Sequence, residues 1–232
     1  MTDTQPYGTP DQPRLAVHGE AHLEVDPELA GITITITTRG TDRRATLDDL
    51  TRRNTHVIDL IKTYGTAIDT LETGAFTLTP QLTRHGRGER VRTYHGNVRI
   101  TTQLTDFTAL GELTTRLADL ELTRVDGPWW SLRHDSPAYS DVRRRAVQQA
   151  VTRAREYADA LDTTLAALVE LSDPGADNPA PGYSGPFGGS RSFAAPAPGG
   201  APEPTPALDL EPQRQTLHAR VNARFIMTPP SL

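Results

Sequence analysis

The chain has 232 residues, with 29 acidic side chains, 24 lysines and arginines and no cysteine, so its formal net charge is -5. The absence of cysteine excludes disulfides, thiol nucleophiles and thiolate metal sites. The acidic balance argues against a general nucleic-acid binder, and no apolar run is long enough to predict a transmembrane helix.

The first residues bear on cellular location. Residues 1–13 lack both the basic and the apolar region of a secretion signal, and we expect them to form a disordered leader. The predicted location is therefore the cytoplasm. Because a chain without cysteine suits the periplasm equally well, the cell envelope is the alternative.

The chain begins with two predicted strands. Residues 14–25 alternate between apolar and polar side chains, with His18 and His22 on the polar face. This period of two predicts a strand with one wet face. After a turn at 26–27, isoleucines at every second position from 32 to 36 predict a second strand.

Apolar residues at helical spacing predict three helices. The first has a cap at 41–42 and ends near Gly65, and the second runs from Asp106 to about Asp119. The third runs from Pro137 to about Leu161, and its alanines indicate a close approach to the sheet or to another helix. Its predicted buried stripe is Tyr139, Val142, Ala146, Ala150, Ala154, Tyr157 and Leu161.

The remaining strands complete an α+β fold. Alternating segments at 76–82 and 98–104 flank a glycine-containing tip and predict a long hairpin. Further strands are predicted at 123–134, 165–171 and 217–227. Strands in hairpin pairs with about three helices between them predict a largely antiparallel sheet.

A change of composition marks a long insert before the last strand. Residues 174–206 contain 9 prolines and 7 glycines, which predicts a flexible loop rather than a packed element. Because the well-patterned strand at 217–227 follows it, we interpret residues 14–232 as a single domain that carries this insert.

A series of short motifs runs through the whole chain in one order. They are Val17–Ala21, Val25–Ala30, Gly65 with Asp69, Thr73 and Pro80, Tyr94 before 98–100, Asp126–Leu132 and the alanine-rich helix at 146–161. Their order and spacing resemble the SIMPL-domain family, a bacterial group of mostly uncharacterised envelope or stress-associated proteins. The resemblance implies an α+β protomer that tends to self-associate. It implies no known catalytic residue.

Two groups of residues have side chains that could bind a metal or catalyse a reaction. On a strand, His18 and His22 lie about 13 Å apart, which is too far for two ligands of one zinc ion. Ser131 and His134 belong to a cluster of triad residue types, but the cluster is crowded into one turn without a nucleophile elbow. We therefore predict no metal ligand, no catalytic residue and no cofactor, and we do not expect an enzyme.

The tip of the hairpin and the tryptophan pair are the predicted interaction surface. The tip is basic and could engage acidic lipid headgroups, RNA or an acidic patch of a second subunit, or could be a solvated loop. Its arginines are Arg84, Arg87, Arg90 and Arg92. Neighbouring strand residues point to opposite faces, so we expect Trp130 in the core and Trp129 at a subunit contact, or else under a helix.

The favoured function is a non-enzymatic, self-associating scaffold or interaction protein linked to stress or envelope physiology. Its expected partner is a second copy of the chain, and no specific nucleic acid is expected. The alternative is a small-molecule or anion-binding module, or an unrecognised hydrolase, that uses the arginine-rich hairpin at 84–92.

Overall fold

A computed structural model describes residues 8–82, 91–174 and 208–231. These ranges hold three α-helices and seven strands in two antiparallel sheets, so the α+β prediction is confirmed. The strands are β1 (Arg14–Val25), β2 (Leu29–Gly40), β3 (Ile68–Leu82), β4 (Val91–Leu104), β5 (Thr123–Ser131), β6 (Leu165–Ser172) and β7 (Gln215–Met227). The helices are α1 (Arg43–Lys62), α2 (Phe107–Ala118) and α3 (Pro137–Asp159), with a short 3-10 helix at Gly65–Ala67.

The described chain divides into two compact units. The first unit holds a three-stranded sheet with strand order β1-β7-β6, together with α3. The second unit holds a four-stranded sheet with strand order β3-β4-β2-β5, together with α1 and α2. Our interpretation of residues 14–232 as one domain stays a prediction.

The core of the first unit depends on small residues. Ala146, Ala150 and Ala154 of α3 are fully buried against β1 and β7. A Cβ atom added to Gly19 of β1 would lie 2.1 Å from the carbonyl oxygen of Ala146. The backbones of helix and strand therefore touch at Gly19, and the predicted close approach is confirmed.

The core of the second unit is built from the isoleucines of β2 and the leucines of the two helices. Ile32, Ile34 and Ile36 are fully buried, as their alternation predicts. They pack with Leu110 and Leu50 of the helices in one cluster. This packing gives the four-stranded sheet one inner face toward its helices and one outer face, on which Thr33, Thr35 and Thr37 lie, whereas Thr38 is buried on the inner face.

The predicted helix starts are confirmed by their hydrogen bonds. The Asp42 side chain accepts from the Ala45 backbone N–H at 2.8 Å. The Asp106 carboxylate accepts from two backbone N–H groups of α2 at 2.9 and 3.1 Å. Ser136 caps α3 and is followed by a proline. In each case the side chain satisfies a donor that the first turn leaves free.

The end of α3 differs from the prediction. Tyr157 and Leu161, which we expected in the buried stripe, are 52% and 37% exposed, whereas Ala158 is buried. The buried residues of α3 recur every four positions along its length. Because one turn of the helix has 3.6 residues, residues four positions apart are offset around its axis, and the buried face shifts slowly along the helix. At its end the small side chain of Ala158 therefore occupies the buried position that we assigned to Tyr157.

The strand pairing also refines the prediction. β3 with β4 and β6 with β7 are antiparallel pairs, as expected. β1 and β2, however, belong to different sheets. β1 lies beside β7, whereas β2 lies between β4 and β5. Most of the predicted insert at 174–206 and of the predicted leader lies outside the described residues, although Thr9 and Gln12 form a hydrogen-bonded turn.

Candidate interaction surfaces

The basic hairpin is described only at its base. Arg84, Arg87 and Arg90 lie outside the described residues. Arg92 is exposed near the start of β4, where Val91 pairs with Leu82 of β3. The hairpin itself is confirmed, but the four predicted arginines are not described together as a site.

The two tryptophans lie on opposite faces of β5, as predicted. Trp130 packs partly buried against the core, and its ring meets the ring of Phe107 edge to face, with centroids 4.8 Å apart. Trp129 is 54% exposed. This residue is free to contact a ligand or a partner, and its role at a subunit contact stays a prediction.

The histidines of β1 and the triad-type residues near the start of α3 lie on different elements. His18 and His22 are both exposed on β1. Across residues 8–82, 91–174 and 208–231, no three histidine, aspartate or glutamate side chains are grouped so that they could hold a metal ion. Asp141 forms an ion pair with Arg144 at 2.9 Å, and Ser136 is used as a helix cap.

Two side chains have shifted pKa values for local reasons. Hydrogen bonding to Arg53 lowers the pKa of Asp49 on α1, with a further contribution from Arg52. Burial raises the pKa of the Tyr64 hydroxyl, which accepts a hydrogen bond from Arg116 at 3.2 Å. Both shifts belong to structural contacts of α1 and α2.

An apolar surface on β6 was not predicted. Leu165, Leu168 and Leu171 pair with three buried residues of β7, so these leucines face the side on which α3 lies. Leu168 is nevertheless 54% exposed and Leu171 46% exposed. The reason is that α3 packs on β1 and makes few contacts with β6.

A groove separates β6 from α3. Its volume is about 430 Å³, and its apolar lining includes Val151, Leu168 and Phe225. Arg155 and Asp159 of α3 also line it. Among the described strands β6 is an edge strand of its sheet, and we call the groove together with this strand edge the β6 edge.

The sequence feature that corresponds to the β6 edge is the spacing of the leucines in β6. The leucines of β6 are three residues apart, which fits neither the period of a strand nor that of a helix. Two register shifts, between Leu165 and Ala167 and between Leu168 and Glu170, bring the leucines to one side. A β-bulge adds one residue and so turns a spacing of two into three.

A second surface surrounds Trp129 on the outer face of the four-stranded sheet. Trp129 lies opposite Gly31 of β2, and Gly31 lies opposite Gln103 of β4. A Cβ atom added to Gly31 would meet nothing closer than 3.7 Å. Gly31 is itself buried, so the position between the indole and the glutamine is already covered, and such a Cβ atom would make only ordinary contacts there.

The search of characterised proteins found distant relatives in Brucella. The 26 kDa periplasmic immunogenic protein of Brucella melitensis biotype 1 is 24% identical over 167 residues, which cover 69% of this chain and 66% of that protein. The protein of the same name from Brucella abortus gives the same values. The chain therefore spans slightly less than two thirds of the length of these relatives.

These names correct the predicted location. The cytoplasmic location is wrong, because proteins named as periplasmic point to an exported location instead. Our prediction depended on residues 1–13 alone, and nothing in the composition of an α+β domain without cysteine separates the two compartments. No helix within the described ranges combines the length and the apolarity needed to cross a membrane.

The family comparison covers most of the chain. The SIMPL family, described as a protein of unknown function (DUF541), matches residues 15–225. This range starts at the second residue of β1 and ends two residues before the end of β7, so it includes all three helices and at least the greater part of every strand. The resemblance seen in the sequence motifs is thereby confirmed, and the chain belongs to the SIMPL family.

Proposed function

We propose that the protein is a non-enzymatic interaction module that self-associates through the β6 edge. The observation that carries this proposal is the exposure of Leu168 and Leu171 on the face of β6 that looks toward α3. On an ordinary two-layer unit this face would be covered by a helix. Here it is open, and contiguous exposed apolar surface marks an interaction site.

A second copy of the chain is the occupant that the β6 edge fits best. An edge strand presents unpaired backbone N–H and C=O groups, which a second β6 in antiparallel orientation can satisfy. A two-fold axis would then bring the leucines of both copies together on one face, because such an interface joins the same patch to itself. The leucines of the partner's β6 would then cover the apolar surface beside Leu168.

The proposal that the module is not an enzyme is supported by the structural roles of its reactive side chains. His18 and His22 are exposed on a strand, Ser136 is a helix cap, and Asp141 is paired with Arg144. A nucleophile needs a base within hydrogen-bond reach, and here the two histidines stand on β1 whereas the serine and the aspartate belong to the start of α3.

We place this module in the cell envelope. The support is the periplasmic name of the Brucella relatives. The same proposal includes a link to stress physiology, which is supported by the family resemblance alone. In an exported compartment, a self-associating module without cysteine would need no reducing environment to stay assembled.

The decisive experiment is the molar mass of the full chain in solution, by size-exclusion chromatography with light scattering over a range of concentrations. We expect a discrete multiple of 25.3 kDa for the unmodified chain. We expect Leu168→Lys to shift the mass to one protomer, because it puts a charge in the centre of the interface.

Leu122→Lys is the matched control. Leu122 is 53% exposed, against 54% for Leu168, but precedes β5 in the second unit. It should leave the mass unchanged. A monomer at every concentration for the unmodified chain, or equal effects of the two substitutions, would refute assembly through the β6 edge. Circular dichroism should show that both variants keep their secondary structure.

A further inference from the structure

Two histidines that are far apart in the chain lie on one face of the three-stranded sheet. Val17 of β1 is buried in the core beside α3, so His22, at the alternate positions of the same strand, points away from α3. In β7 the buried Val221 and Ala223 put His218 on that side as well. Both imidazoles are exposed there.

The register of β1 and β7 follows from contacts at two points. The Met227 backbone N–H donates to the carbonyl oxygen of Pro13 at 2.9 Å. The Arg220 guanidinium lies 3.7 Å from the Glu20 carboxylate. Seven residues up β1 from the first contact and seven residues down β7 lead to the second. The strands are therefore antiparallel and keep one register between the two points.

This register places His22 directly opposite His218, two residues beyond the second contact. Exposed residues alternate without interruption in this part of both strands, so no bulge shifts one strand against the other. The strand bounds agree with this pairing. β1 ends at Val25 and β7 begins at Gln215, each three residues further on.

His22 and His218 form the closer of the two kinds of pair in an antiparallel ladder. The carbonyl oxygen of His18 accepts from an arginine of α3 at 2.8 Å, and the Glu20 N–H donates to the side chain of Gln149 at 3.1 Å. Backbone groups at these positions of β1 therefore point away from β7, and His22 continues the same alternation. In such a pair the Cβ atoms lie about 5 Å apart.

We propose that His22 and His218 together bind a divalent transition-metal ion, with copper(II) as the preferred ion. Two nitrogens that ligate one ion at about 2.0–2.1 Å are about 3 Å apart, and imidazoles on neighbouring Cβ atoms can rotate to that distance. Imidazole suits copper, nickel and zinc, and copper(II) is bound most tightly of these. Within the described ranges no third histidine or carboxylate completes a group of three, so water fills the remaining positions.

The charges around the histidine pair do not oppose a cation. The rows on either side of the pair contain acidic residues of β1, and a groove beside His218 is lined by one acidic and two basic side chains. One further arginine lies a turn before Gln149 on α3. Three carboxylates therefore offset three guanidinium groups. The carboxylates are Glu20, Glu24 and Asp173, and the guanidinium groups are those of Arg143, Arg145 and Arg220.

His18 shows what a single imidazole on this face lacks. It lies on the same side of β1 as His22 and is also exposed. In the same register, however, the residue opposite His18 is Asn222, whose amide is a much weaker ligand for these ions. The two histidines of β1 therefore differ in one respect that matters for chelation, the residue across the strand.

The experiment titrates copper(II) chloride into the full chain by calorimetry. We expect His22→Gln to weaken the tightest site by about tenfold or more, because one imidazole binds without the gain from a second tethered ligand. His218→Gln should weaken it equally. Electron paramagnetic resonance of the copper complex should show two ligating nitrogens in the unmodified chain and one in either variant. Circular dichroism should show that both variants keep their secondary structure.

His18→Gln is the matched control and should leave the affinity unchanged, whereas Asn222→His should create a second site of similar affinity. Equal losses in His18→Gln and His22→Gln, or an unchanged affinity in His218→Gln, would overturn the proposal. The site uses no residue of the β6 edge. Leu168→Lys should therefore bind copper as the unmodified chain does, so that this proposal and the proposed self-association can fail separately.

Discussion

The close contact between β1 and α3 makes Gly19 the most demanding position of the first unit. A methyl group at Gly19 would lie 2.1 Å from the carbonyl oxygen of Ala146 and 2.7 Å from the backbone nitrogen of Ala150. Ordinary contacts between such atoms begin near 3.4 Å. In Gly19→Ala the helix would have to move away from the strand by more than 1 Å, because both obstacles are backbone atoms.

We expect Gly19→Ala to lower the free energy of unfolding by about 3 kcal/mol, at the upper end for overpacking in a core. For a chain of this size that corresponds to a loss of about 6–12 °C in the melting temperature. Denaturant unfolding gives the free energy. Hydrogen exchange should show the loss of protection in β1 and α3 rather than in β2 and β4.

Gly31→Ala is the matched control, since it is also a glycine in a strand. A methyl group at Gly31 would meet its nearest neighbour at 3.7 Å, an ordinary contact. Its stability should change little or rise by about 0.4–1 kcal/mol, because alanine restricts the unfolded chain. Similar losses in both variants would refute the steric argument and point to a general cost of replacing glycine in these strands.

Three further predictions concern the second unit. Asp106→Ala removes the cap of α2 and should lower the free energy of unfolding by about 1 kcal/mol, measured by denaturant titration. Because Arg53 lowers the pKa of Asp49 in the folded state, the carboxylate contributes stability above its unfolded pKa and loses it as pH falls through the folded pKa. Asp49→Asn should therefore flatten the acid limb of a stability-against-pH curve, and an unchanged limb would contradict this. Trp130→Ala should cost about 3 kcal/mol by melting, whereas Trp129→Ala should stay within about 0.5 kcal/mol, and equal costs would show the face assignment to be wrong.

Local signals in the sequence were sufficient for most helices and strands. Asp42, Asp106 and Ser136 are short polar side chains immediately before helical spacing, and each is a cap. The isoleucines of β2 alternate without interruption and are all buried. Helix caps and alternating strands depend on residues that are close together in the chain, so both can be predicted from the sequence.

The β6 edge could not be predicted in the same way. Whether Leu168 is buried depends on which strands α3 covers, and this is set by contacts between residues far apart in the chain. The bulges of β6 also change the period on which a strand prediction depends. The outer face around Trp129 has a similar origin, because only the register shows that Trp129, Gly31 and Gln103 share a row.

The packing of the first unit links its stability to its proposed function. Gly19 and the alanines of α3 allow the helix to lie directly on β1. Because α3 lies so close to the sheet, it covers β1 and β7. Its alanine side chains are too short to reach the third strand, β6. In the order β1-β7-β6 the uncovered strand is β6, and its leucines remain exposed for that reason. The small residues that allow the close packing of the first unit are thus also the reason that the leucines of β6 stay exposed at the proposed site of self-association.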